Sequence, residues 1–107
     1  MKKSEFTAAE LSAIRNAYDF VDCEMENSTE RPANWTLKHF YDVFGDLLPK
    51  LRSAEDVEFS HDELITMSFI LQQFLEVDSL HGIVNDAPAS APSAAAARKR
   101  ILSQLYA

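Results

Sequence analysis

The stretch Ser60–Gly82, SHDELITMSFILQQFLEVDSLHG, decides how the rest of the chain must fold. Ser60 and Glu63 form a capping box, in which the hydroxyl accepts from the third amide and the carboxylate reaches back to the cap's own amide. Phe59 before the box and Leu64 inside it supply the matching hydrophobic staple. Leu64, Met67, Leu71, Phe74 and Leu75 then recur at helical spacing, while Ile65, Phe69, Ile70, Val77 and Leu80 are apolar on other sides. The spacing predicts a helix over 61–80, with Gly82 at its C′ position. A helix apolar nearly all round belongs at the centre of its domain. The remaining helices are therefore expected to surround it, and any uncovered part is expected to meet a second subunit. Phe20, Phe69 and Ile70 are the residues expected at such a homodimer interface.

The same grammar marks the neighbours. Thr7 and Glu10 make a second capping box, with Phe6 stapled on Leu11. Leu11, Ile14, Tyr18, Val21 and Met25 follow as an amphipathic stripe, predicting a helix over 8–25. Ala9, Ala13 and Phe20 fall on its other side, either as ordinary surface or as a second packing face. A helix over 35–48 is expected from Asn34 or Thr36 as cap and from Leu37, Phe40, Tyr41, Phe44, Leu47, Leu48 and Leu51 on one face. Pro49 removes a donor and crowds the carbonyl of Gly45, so a kink or an end near Leu48 is expected. Residues 85–93 read as a Pro/Ala/Ser linker, after which Ser93 caps a last helix over 94–106. Two glycines and four prolines in 107 residues leave little turn punctuation for a many-stranded sheet. The expectation is one all-α domain of four main helices around the third.

Charge divides the functional classes. The net charge is −7, but all seventeen acidic residues lie between Glu5 and Asp86 with only five basic ones among them. That body carries −12, while Lys2, Lys3, Arg98, Lys99 and Arg100 put five positive charges near the ends. An acidic body repels nucleic-acid phosphates and attracts basic protein surfaces. Two clusters stand out: DFVDCEMENSTE at 19–30, with Asp22, Glu24 and Glu26, and EDVEFSHDE at 55–63, with Glu55, Asp56, Glu58 and Asp62. Asp62 and Glu63 also suit a helix N-terminus.

Catalytic and metal chemistry find little support. Cys23 sits among Asp22, Glu24 and Glu26, which disfavour a thiolate nucleophile. His39 with Asp42 and Asp46, Glu58-x-x-His61 and Asp78-x-x-His81 have ligand-like spacings, but on polar faces or at helix ends. No metal, cofactor or enzymatic activity is expected. With one cysteine and no apolar run behind the leading lysines, a cytoplasmic location is the expectation.

The functional expectation is a non-catalytic binding protein that inhibits a basic, nucleic-acid-processing partner through those carboxylates. Bacterial immunity proteins and phage-encoded inhibitors of host defence share this size and charge, although the tyrosine-rich loop of the helical colicin immunity proteins is absent. The alternative is a DNA-associated regulator using Arg98, Lys99 and Arg100. On a helix whose Ile101 and Leu105 face inward, however, those three form a collar around the axis, not a stripe along a groove.

Overall fold

A computed structural model describes residues 1–24, 29–81 and 91–106, the side chains of 77–81 aside. Its helices are α1 (Ala8–Glu24), α2 (Leu37–Arg52), α3 (His61–His81) and α4 (Ala91–Leu105), preceded by a 3₁₀ turn at Lys3–Glu5. The four-helix, all-α expectation therefore holds. Met25, Glu26, Gly82 and residues 85–90 of the expected linker lie outside the described residues.

Both capping boxes form. The Thr7 amide donates to Glu10 Oε1 at 2.7 Å and the Glu10 amide to Thr7 Oγ1 at 3.0 Å. The Ser60 amide donates to Glu63 Oε1 at 2.7 Å and the Glu63 amide to Ser60 Oγ at 3.2 Å. The staple residues Phe6 and Phe59 are buried against each other, edge to face with ring centres 6.2 Å apart. The starts of α1 and α3 are thus joined. A short extended pairing reinforces the joint, the Lys3 amide donating to the Val57 carbonyl and the Phe59 amide to the Met1 carbonyl, each at 2.9 Å.

The core lies where α1, α2 and α4 close on α3. Met67, Ile70 and Leu71 are fully buried, with Ile14 and Ala17 from α1, Phe40, Leu47 and Leu51 from α2, and Ala94, Ala97 and Ile101 from α4. Tyr18 stacks flat on Phe44 with ring centres 4.0 Å apart, and its hydroxyl donates to the Phe44 carbonyl at 2.9 Å. Tyr41, expected on the inner face of α2, is instead 39% exposed, and Val43 is buried.

Two expected helix bounds require correction, and one pair of alternatives is decided. α2 does not end near Leu48 but runs through Pro49 to Arg52. Continuing the helix is what places Leu51 in the core, and its last carbonyls find other donors. The buried Lys3 ammonium donates to the carbonyls of Lys50 and Leu51, each at 3.2 Å, and to that of Ser53, while Arg15 Nε donates to Leu51 O at 3.2 Å. α4 starts at Ala91, three residues before the expected start, because Pro92 falls in the first turn, where no intrahelical donor is required. Of the two readings for the far side of α1, the packing face holds for Ala13 and Phe20, while Ala9 is exposed. Ala13 and Ala17 are buried, and the half-buried Phe20 ring meets Phe74 edge to face at 6.1 Å.

Candidate functional site

Thr36, the N-cap of α2, accepts from the His39 amide at 3.1 Å, after Asn34 has turned the chain through a left-handed φ of 69°. This turn presents His39 to the start of α3, where its Nε2 lies 3.0 Å from Asp62 Oδ2. Trp35 meets the imidazole edge to face at 4.5 Å. His39 therefore pairs with Asp62 and not with Asp42, which takes Lys38 at 3.2 Å. Glu58 and His61 are both exposed, and the side chains of Asp78 and His81 lie outside the described set. Among the described residues no three His, Cys, Asp or Glu side chains gather as metal ligands do.

The acidic stretch 55–63 divides into structural and free carboxylates. Asp56 accepts from the Ser4 amide at 2.8 Å and from its hydroxyl at 2.9 Å, which holds its carboxyl below the ordinary range. Glu63 is buried in its capping box and takes the Lys50 ammonium at 2.6 Å. Lys50 also donates to the Glu58 carbonyl at 2.9 Å. Asp62 is engaged by His39. Glu55 and Glu58 remain with exposed side chains turned to solvent.

Asp22 and Glu24 are exposed near the C-terminal end of α1, while Glu26 lies outside the described residues. The stretch 55–58 sits beside the other end of α1, through Ser4–Asp56 and Phe6–Phe59. At 1.5 Å per residue, the distance from Ala8 to Asp22 along α1 is about 20 Å. The two clusters are thus separate surfaces at opposite ends of one helix, which a periodicity reading of the sequence does not reveal.

The basic residues of α4 are drawn into the fold. Arg100 Nε reaches Glu10 Oε1 at 3.2 Å and Oε2 at 3.3 Å, and its Nη2 reaches Oε2 at 3.2 Å. Burial pushes the Glu10 carboxyl up, but the Thr7 amide and the Arg100 guanidinium outweigh it and hold its pKa below the ordinary value. Arg98 Nη2 donates to Gln72 Oε1 of α3 at 3.3 Å. Lys99 points outward. The three residues spread around the helix, as the collar geometry requires.

The expected subunit interface changes character. Ile70 is fully enclosed by its own chain, so this fold does not offer it to a second subunit. Phe69 packs edge to face on Phe40 at 5.4 Å, and Phe20 on Phe74, so both half-buried rings serve internal packing. Cys23 is exposed and unpaired. Among the described residues no helix is long and apolar enough to cross a membrane.

No family model, curated protein or solved structure matches this chain.

Proposed function

We propose that this chain is a non-catalytic acidic binding protein that neutralises a basic, nucleic-acid-processing protein in the cytoplasm. The observation that carries the reading is the division of charge. A body at −12 keeps Glu55, Glu58, Asp22 and Glu24 exposed, while Arg100 is committed to Glu10. Fixed carboxylates on a rigid helical frame steer a cationic partner and hold it without chemistry. The 55–58 end is the stronger candidate, because Ser4, Lys50 and the Phe6–Phe59 joint fix the backbone that carries those carboxylates. Asp22, Glu24 and Glu26 form the second candidate surface.

The DNA-regulator alternative is disfavoured by the same division, since Arg98, Lys99 and Arg100 do not line up and the acidic body faces any phosphate they would approach. The experiment is to capture the partner on immobilised protein from its host cells and to assay that partner's activity with and without the chain. A basic partner is expected, inhibited by the wild type and released as salt rises, with weaker capture by E55K/E58K. A partner held equally by both proteins at all salt concentrations would overturn the choice of surface. A duplex DNA probe shifted by the isolated chain at about 50 mM salt would favour the alternative.

A further inference from the structure

A groove of about 520 Å³ runs along the outer side of α4 against α3. Its apolar lining is Leu75 from α3 with Ala95 and Leu102 from α4, and its polar lining is Arg98, Lys99 and Ser103. Tyr106 also lines it and is 82% exposed, the more exposed of the two large hydrophobic residues left in solvent among the described residues. Ala95, Lys99, Leu102 and Tyr106 recur at four, three and four residues, so one helical stripe presents the whole length.

The charge here is opposite to that of the body. None of the described lining residues is acidic, and two are basic. Arg98 is half-buried, with Nη2 on Gln72 and a shielded Nε that has no acceptor. The Gln72 amide in turn donates to Glu76 at 3.1 Å, which fixes the side of Gln72 that Arg98 meets. Arg98 thus holds an amide where its neighbour Arg100 holds a carboxylate, and among the described residues no carboxylate pairs with Arg98.

We propose that this groove docks an acidic amphipathic helix of a partner protein. Leucine-like side chains of that helix fill the strip over Leu75, Ala95 and Leu102, and its flanking carboxylates meet Arg98 and Lys99. The groove's lining follows one side of α4 beside Leu75 of α3, which suits a helix laid against it, as in other helix-in-groove interactions. Tyr106 supplies the exposed aromatic typical of an interface anchor. The surface is distinct from Glu55 and Glu58 and has the opposite charge, so it adds a second kind of partner to the reading above.

The probe is a fluorescein-labelled helical peptide of about 15 residues, with leucine at i, i+4 and i+7 and glutamate between them. Saturable binding to the full chain is expected, with amide shifts confined to Leu75, Ala95, Lys99, Leu102 and their neighbours. Y106A and K99E alter exposed side chains, and each is expected to weaken binding about fivefold or more while leaving the melting temperature unchanged. The same peptide with lysine for glutamate is expected not to bind there. Shifts elsewhere, equal binding of the lysine peptide, or displacement of the glutamate peptide by duplex DNA at the same amides would overturn the proposal.

Discussion

Glu10 serves two neighbours at once. Its carboxylate closes the capping box of α1 and receives the Arg100 guanidinium from the far end of the chain. The box is legible from Thr7 and Glu10 alone, being local. The ion pair joins residues ninety positions apart; Arg98 and Arg100 flanking a buried face pointed to carboxylates of the first or third helix, but not to Glu10 in particular. Because the folded pKa of Glu10 is depressed, its contribution is present above the ordinary carboxyl pKa of 4.5 and is lost as pH falls below it. Glu10→Gln is expected to cost about 1–2 kcal/mol at neutral pH, the Arg100 share discounted for its solvent exposure. Denaturant titrations at pH 7 and pH 3 check this, and the gap between the two proteins should narrow at the lower pH. Tyr18 acts at the other extreme. Burial, assisted by the Asp22 charge, raises its phenol from 10.0 to about 12. Its contribution is therefore full below pH 10 and lost as pH rises through 12. Tyr18→Phe is expected to lower stability at neutral pH, where the Phe44 carbonyl loses its donor, and to flatten the alkaline decline measured by thermal melts.

At the scale of elements, signals within a few residues were legible and signals between elements were not. Capping boxes, staples and apolar stripes located α1 and α3 almost to the residue. The local rule at Pro49 allowed an end near Leu48, but α2 continues and buries Leu51, while Lys3 and Arg15 meet its last carbonyls from elsewhere in the chain. The leading lysines read as terminal charge, yet Lys3 is buried in that role. Nothing in a run as short as MKK marks such a long-range partner. Alanine is ambiguous for a related reason. Ala13 and Ala17 on α1, and Ala94 and Ala97 on α4, are all buried. Their small side chains allow helices to approach closely, but alanine alone is equally at home on a surface. Ala97→Leu is expected to overpack this contact and cost about 1–3 kcal/mol. Urea unfolding measures it, and a cost near zero would mean that α4 does not press on its neighbours as described.

Across the whole molecule, the charge separation read from the sequence survives, but its meaning narrows. The 55–63 run looked like one acidic site. Three of its five carboxylates are occupied by Ser4, His39 and Lys50, leaving Glu55 and Glu58 exposed to solvent. A count of acidic residues cannot make that distinction, because it depends on which side chains the fold brings opposite them. The two acidic clusters, adjacent in composition, end about 20 Å apart along α1. The basic run is engaged on both flanks of the buried face of α4: Arg100 meets a carboxylate of α1, Glu10, and Arg98 meets the Gln72 amide of α3. What remains is a rigid bundle with carboxylates at both ends of α1, suited to electrostatic capture. The deciding measurement is the association rate with the captured partner across a range of ionic strength, for wild type, E55K/E58K and D22K/E24K. We expect the wild-type rate to fall about tenfold or more as salt rises, and E55K/E58K to start slow and respond weakly. A rate indifferent to salt and unchanged in both variants would contradict the assignment of binding to these carboxylates.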